Sequence, residues 1–553
     1  MRSRWVRDPF TYVALVFALA CAVGATWDIP CTDSWSNDEV SPRASMLGAV
    51  FETWTPGHYF RYPPLHVLGL TVVQSPLILV GVLRAGADRA AIEAELIQPG
   101  YMTIAAIIGR LVSFAMALGF VWNVRRLFAR LGGERVGLFA AASTALNGIF
   151  VYFAHVASVD VPYLFWSSMA LVELDRVAEG EARERRAAIF VALAMLTKDQ
   201  SAMLLAGPLL LVLFVRPLFA AKSGARLRAL FSPAVVRAAL IAIAIYLVGS
   251  GAVTNPSGFG QKIRFMTGGG NAGWIVYERN FSGTLAQLAD IVRAAPLFAT
   301  RAAFVLALCG VVLALRGRDR SLALRRAVPV SAVASYFVLF VLPSRWAMER
   351  HLMPLALLLI PYAGFAIEAL RVRGRPRLVW ALASVALLVP QLVDVASVDG
   401  TLLVDPRNAV TARLEELPRG TKVAVLGGNQ YLPNLPAGLA LVRVGTEPLG
   451  DRSSLPGVRE VVAPYSNVLA EDPDYIVVGQ PFAEGYLPSD RPRSDRQKAL
   501  EADTDAAGFF SDLAAERGQY HFEVRAECTL PWPLTCRRMH LSTGEGAWLF
   551  ARR

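Results

Sequence analysis

Three carboxylates, Asp33, Asp38 and Glu39, share one polar stretch, residues 28–65, with Arg43, Arg61, Tyr62 and several further aromatics. Farther along, His155, Asp160, Lys198, Arg345, Glu349, Arg350 and His351 fall in short polar breaks between apolar runs. Carboxylates beside cations suit a reaction on an anionic group. The cations bind a phosphate and stabilise it as a leaving group, while a carboxylate takes the proton of an incoming nucleophile. Nearby arginines keep such a carboxylate ionised, as a base must be. Each residue also has a plainer reading. Asp38-Glu39 alone could be a solvated loop pair, and Asp160, followed by Val161 and Pro162, could cap a helix. Lys198, Arg350 and His351 could snorkel at an interface, and Tyr62-Pro63-Pro64 could be a stiff turn. The histidines at 58, 66, 155 and 351 have no pair spacing that specifies a metal site. A divalent cation held by Asp38 and Asp160 is the better metal hypothesis; no other cofactor is implied.

The elements that must position these groups are apolar. Of 553 residues, 54% are hydrophobic and 18% charged, against about 45–50% and about 25% in ordinary soluble domains. Such a chain has many membrane spans and room for a soluble domain. The net charge of +11 comes from arginines clustered between apolar runs. That is the pattern of positive-inside topology, so a nucleic-acid partner is not expected.

Arg2, Arg4 and Arg7 precede the run 10–27, which reads as an uncleaved anchor with a cytoplasmic N-terminus and puts 28–65 outside. The apolar segment 66–83 is interrupted by Gln74-Ser75-Pro76. If it crossed, Arg125, Arg126, Arg130 and Arg135 would lie outside, so 66–99 is expected to be a non-crossing interfacial element. Spans are then expected at 101–122, 136–153, 161–174, 187–196, 202–215, 234–253, 296–315, 328–342, 352–370 and 378–393, about eleven with the first. A long outer loop occupies 254–290, where Gly268-Gly269-Gly270 reads as a flexible loop. Residues 396–553 change to charged residues, turn formers and short β-rich runs. Strands are expected at 422–426, 440–444, 475–479 and 520–524 and a helix at 407–417, a small extracytoplasmic α/β domain. Cys528 and Cys536 flank a short loop in that portion, where a disulfide is plausible outside the cytoplasm. Cys21 and Cys309 read as space-filling, and Cys31 has no obvious partner.

The ordered set of motifs resembles the GT-C membrane glycosyltransferases, in particular the branch of protein O-mannosyltransferases and bacterial aminoarabinose transferases. Asn37-Asp38-Glu39 resembles the acidic motif after the first span, and Tyr62-Pro63-Pro64-Leu65 the Pro-Pro-Leu motif that closes the first outer loop. Gly109 through Ser113, then Arg125-Arg126-Leu127-Phe128 and Leu131 through Arg135, is similar to the next span and basic turn. His155 through Pro162 resembles the second acidic loop; Leu196-Thr197-Lys198 and Arg350 through Pro354 follow in order. The resemblance covers roughly 10–370. It departs at Asn37, where many relatives have Pro, at Arg61, where a lysine precedes the prolines, and in the long 86–99 insertion.

The resemblance implies an inverting sugar transfer, at the outer face of a bacterial plasma membrane, from a polyprenyl-phosphate sugar donor to a protein, lipid or glycan acceptor. Asp38 would be the base, supported by Glu39, with Asp160 contributing from the second loop. Arg61, Lys198 and Arg350 would meet the lipid phosphate, Tyr62, His155 and His351 would line the substrate site, and 254–290 would cover it. The fold class expected is a polytopic α-helical membrane module, 1–395, followed by the extracytoplasmic α/β domain, 396–553. Two other classes compete. A transporter or lipid flippase predicts ionisable groups at mid-bilayer, yet the spans are nearly free of charge away from their ends, Arg110 being the main exception. An assembly protein would use the tail as a docking module.

Overall fold

Asp8 accepts a hydrogen bond from the backbone N–H of Phe10 (3.0 Å), and Pro9 occupies the first turn, where its missing N–H costs nothing. The first apolar run therefore begins as α1, Pro9–Ala22. This computed structural model describes residues 8–553 except 30–32, 37–38, 41–50, 61, 87, 216, 218–231, 270–271, 318, 347, 373–375, 450–454, 489–492, 540–542 and 545. Asp38, Arg61, Arg43 and Cys31 lie outside the described residues.

Helices α2 (Leu65–Ala85) and α3 (Arg89–Leu96) lead into α4, Pro99–Gly132, whose 34 residues are the longest element of the chain. The element expected at 66–99 is helical. Pro76 does not break α2, which runs 21 residues and is long and apolar enough to cross a membrane. The expected single span 136–153 is two helices, α5 (Glu134–Ala145) and α6 (Gly148–His155), bent by 62°. Asn147 makes the break. Its side chain accepts from Phe150 N (3.1 Å), capping α6, and donates to Phe298 O (2.6 Å).

Then follow α7 (Asp160–Glu179), α8 (Glu184–Thr197), α9 (Ser201–Leu209, running on as a π-helix to Val215) and α10 (Pro233–Gly249). The expected loop 254–290 is largely helical: α11 (Pro256–Arg264), a π-turn Phe265–Gly269 that takes in Gly268 and Gly269, and the start of α12 (Phe281–Phe298). Helices α13 (Arg301–Leu315), α14 (Arg320–Tyr336), α15 (Glu349–Leu359), α16 (Ala363–Val372) and α17 (Arg377–Leu403) complete the helical part.

Among the described residues, five helices pass for membrane spans on length and composition, or seven if two bent pairs count as single spans. Three shorter apolar helices, Pro9–Ala22, Ser201–Val215 and Pro233–Gly249, accompany them. Helices of this length and composition make a multi-pass helical protein. Helix α7 shows why sequence hydropathy and span number part company. It carries Glu173 and Asp175 yet is buried along most of its length, because its neighbours rather than lipid surround it.

After α18 (Pro406–Glu415) comes a six-stranded sheet: β1 (Lys422–Leu426), β2 (Ala440–Gly445), β3 (Val458–Val462), β4 (Tyr475–Gly479), β5 (Tyr520–Ala526) and β6 (Ala547–Arg552). The order is β3-β2-β1-β4-β6-β5, with β3, β2, β1 and β4 mutually parallel and β6 antiparallel to both neighbours. β1 and β4 are central and almost wholly buried, which is why their sequences are continuous apolar runs. Cys528 and Cys536 form a disulfide, and Cys21 and Cys309 are free.

Candidate active site

Arg110 lies in the N-terminal half of α4 and is almost fully buried, so its five N–H groups need acceptors. Nη2 donates to Asp28 (2.7 Å), Nε to Glu39 (3.2 Å), and Nη1 to the carbonyls of Trp27 (2.8 Å) and Ala25 (3.1 Å). One guanidinium thereby folds the end of α1 and the first outer loop back onto α4. Glu39, 4% exposed, also accepts from Ala157 N (2.8 Å) and from the Ser34 hydroxyl, and Val40 N donates to Ala157 O (3.0 Å). The two acidic turns, far apart in sequence, thus meet edge to edge.

Three residues beyond Ala157 stands Asp160. Its backbone opens α7, but Val159 occupies the N-cap position, and the Asp160 side chain turns to Lys198 instead, 2.6 Å from Nζ. Asp160 Oδ2 is buried and makes no hydrogen bond. A buried carboxylate oxygen without a donor is costly in an ordinary core. Lys198, 8% exposed, also lies over the Tyr163 ring (5.3 Å), which satisfies its charge without using all its donors.

The next residue, Asp199, pairs with Lys262 of α11 (3.0 Å), a lysine with no exposed surface that also stands 5.6 Å over Phe60. Burial pushes the Asp199 carboxyl up, and the Lys262 ammonium pulls the other way. Two Asp–Lys pairs therefore lie side by side at the turn after α8. Sequence reasoning missed Lys262; the signal available was a basic residue in a loop otherwise rich in glycine.

Asn255 ties α11 to the first outer loop. Its side chain caps Gly258 N (3.0 Å), accepts from Gly57 N (3.1 Å) and donates to the carbonyls of Glu52 (3.0 Å) and His58 (2.7 Å). A Cβ at Gly258 would stand 2.2 Å from His58 O, so this approach requires glycine. The far end of the loop is pinned too. Val276 N donates to Arg345 O (3.0 Å), Arg345 donates to Thr284 (2.6 Å), and Trp274 stacks on Trp346 (5.2 Å).

Arg350 and His351 are in the first turn of α15, His351 buried with edge contacts to Phe340 (5.0 Å) and Trp346 (5.5 Å). Phe340 reaches Tyr336 (5.1 Å), and the Tyr336 hydroxyl reaches Gln200 (3.3 Å), next to Asp199. Tyr62 is half-exposed. His155 is placed differently from the expectation. Its ring nitrogens sit 2.8 Å from Val151 O and 2.6 Å from Val23 O, so both are occupied by backbone and the ring braces α6 against the end of α1. Glu39 likewise has its oxygens filled by Arg110, Ala157 and Ser34, which makes it a clamp between loops. Among the described residues no group of three His, Cys, Asp or Glu side chains could hold a metal ion. The expected cation pair includes Asp38 and lies outside them.

No protein-family model and no curated protein matches the chain. Solved structures do. ArnT from Cupriavidus metallidurans bound to undecaprenyl phosphate is 14% identical, with 98% of each chain covered and a TM-score of 0.49. ArnT in the apo state is 15% identical over 79% of this chain and 86% of its own, TM-score 0.46. The Archaeoglobus fulgidus oligosaccharyltransferase AglB, in complex with an inhibitory peptide and a dolichol-phosphate, is 13% identical over 96% and 77%, TM-score 0.44. The chain is similar to them.

Proposed function

We propose that this chain is an integral-membrane glycosyltransferase of a bacterial inner membrane. In this reading it moves a sugar from a polyprenyl-phosphate donor to an acceptor hydroxyl at the extracytoplasmic face. The observation that carries the proposal is the junction of the two acidic turns beside the Asp160–Lys198 pair, with the buried, unbonded Asp160 Oδ2 between them. The donor class is the lipid phosphates named for ArnT and AglB, but the warrant is the chemistry of this chain's own side chains.

The acceptor hydroxyl oxygen attacks the anomeric carbon as the bond from that carbon to the phosphate oxygen breaks, inverting the centre. Asp38 takes the hydroxyl proton, and Asp160 Oδ2 accepts a hydrogen bond from the acceptor or the sugar. The departing lipid phosphate gains charge as the bond breaks. Arg61, Arg350 and Lys198 stabilise it there, joined by Lys262, since an ammonium paired with one carboxylate retains further donors. Tyr62 and His351 shape the pocket. The outward side is supported by the disulfide Cys528–Cys536, which belongs to an oxidising compartment. The domain that contains it contacts the first outer loop through Asn429 and Asp33 (2.8 Å).

Asp38→Asn should abolish transfer of labelled sugar from a polyprenyl-phosphate donor in membranes, with expression and insertion unchanged. Asp160→Asn should lower it by about 100-fold or more, the scale of one proton-handling or positioning group. Full transfer by Asp38→Asn would remove that residue from the mechanism.

A further inference from the structure

A cavity lies at the other end of the helices that hold the acidic turns. Arg126 is sixteen residues beyond Arg110 on α4, and Arg176 sixteen beyond Asp160 on α7, so each lies roughly 24 Å along its helix from the site at 1.5 Å per residue. Between them and the first turns of α8 is a cavity of about 290 Å³ walled by Arg126, Arg176 and Arg186, with Glu173 and the apolar surfaces of Met169 and Phe190.

Its charges are incompletely matched. Arg176 is 3.6 Å from Glu173 and, through Nε, 3.8 Å from Glu181, and Glu173 Oε2 is 4.0 Å from Arg183 Nε; Arg176 Nε and Glu173 Oε2 are both buried and, at these distances, make no hydrogen bond. Arg126 and Arg186 form no side-chain ion pair or hydrogen bond among the described residues. Positive-inside topology accounts for arginines on this face. It does not account for two guanidinium groups that are unpaired among the described residues and two buried polar atoms without a hydrogen bond converging on an apolar-floored hollow.

We propose that this cavity binds the headgroup of an anionic glycerophospholipid from the membrane leaflet opposite the candidate active site. The phosphate lies between Arg126 and Arg186 and accepts from Arg176 Nε, matching a planar donor fork to an oxyanion. A glycerol hydroxyl of the headgroup donates to Glu173 Oε2, and an acyl chain runs over Met169 and Phe190. Basic pockets between spans serve lipid phosphates in this way. The proposal is independent of glycosyl transfer.

The test is native mass spectrometry of the delipidated full-length protein titrated with phosphatidylglycerol, with phosphatidylcholine and inorganic phosphate as separate arms. The parent should retain phosphatidylglycerol at least tenfold more tightly than phosphatidylcholine, and inorganic phosphate should not displace it at equal concentration. Arg126→Ala with Arg186→Ala should weaken phosphatidylglycerol binding by about tenfold or more, while Arg185→Ala, exposed and outside the cavity wall, should leave it unchanged. Unfolding midpoints measured without lipid should agree among all three proteins, because neither guanidinium has a partner among the described residues. The single, exposed Arg186→Glu serves if the double variant is unstable, and it too should weaken binding. Equal binding by the cavity variants, an equal loss in Arg185→Ala, no preference over phosphatidylcholine, or displacement by inorganic phosphate would each overturn the assignment.

Discussion

Arg110 is the residue that holds the loop after α1 against α4. Among the spans it stood out in the sequence as a charge away from a helix end, but its partners, 82 and 71 residues away at Asp28 and Glu39, could not be read there. Replacing it with Ala leaves two buried carboxylates uncompensated, which costs about 3–5 kcal/mol. Arg110→Ala should therefore lower the unfolding midpoint in detergent markedly and abolish transfer as the acidic turns separate. An unchanged midpoint would mean that the cluster is not buried as described. Asp160 and Lys198 were legible as residues worth watching because they interrupt apolar runs. That they pair with each other, rather than cap a helix or snorkel, depends on helix packing and had no local signature. His155 went the other way: its type and position invited a ligand role, and only the carbonyls of Val151 and Val23 show it to be a brace.

At the scale of elements, the apolar runs gave the helices and the alternating short runs gave four of six strands. β3 and β6 were missed: the first is a half-exposed edge, Val-Arg-Glu-Val-Val, and the second is a chain-terminal run whose partners come from earlier segments. The bend between α5 and α6 follows from a single asparagine that no hydropathy window registers. The largest difference is the segment after residue 254. Its glycines and polar residues read as a loop, yet tertiary contacts fold it into α11 and pin both ends. Asn255 does much of this, serving as helix cap and as cross-link to 52–58. Asn255→Ala removes a cap and three further hydrogen bonds, together about 2–4 kcal/mol of local stability. Limited proteolysis within 256–264 should become several-fold faster while the core spans remain protected; unchanged cleavage would show that other contacts suffice. Because Lys262 rides on α11, transfer should fall in the same variant.

On the scale of the whole molecule, the sheet domain is joined to the membrane part by aromatic and ionic contacts rather than by a linker alone. Trp27 Nε1 donates to Asp405 (2.9 Å), Asp405 pairs with Arg407 (2.6 Å), and Arg407 stacks over Trp35 (4.0 Å) and Trp27 (5.6 Å). Arg407→Ala removes a stacked cation and breaks a buried pair that bridges the two parts. Transfer should drop by tenfold or more although no lipid-facing residue has changed. A variant as active as the parent would reduce the domain to a passenger. At the opposite face, Asp175 binds both Arg130 (2.7 Å) and Arg325 (2.7 Å), so some arginines that orient the chain also lock α4, α7 and α14 together.

The contact between Trp27 and Asp405 spans 378 positions, and that between Asp33 and Asn429 spans 396. During biosynthesis the first outer loop emerges hundreds of residues before the partners that hold it. A ribosome must translate past residue 429 before both contacts can form. If the proposed function holds, a nascent polypeptide already inserted in the bilayer is silent until then, and sugar donors are safe from half-made enzyme.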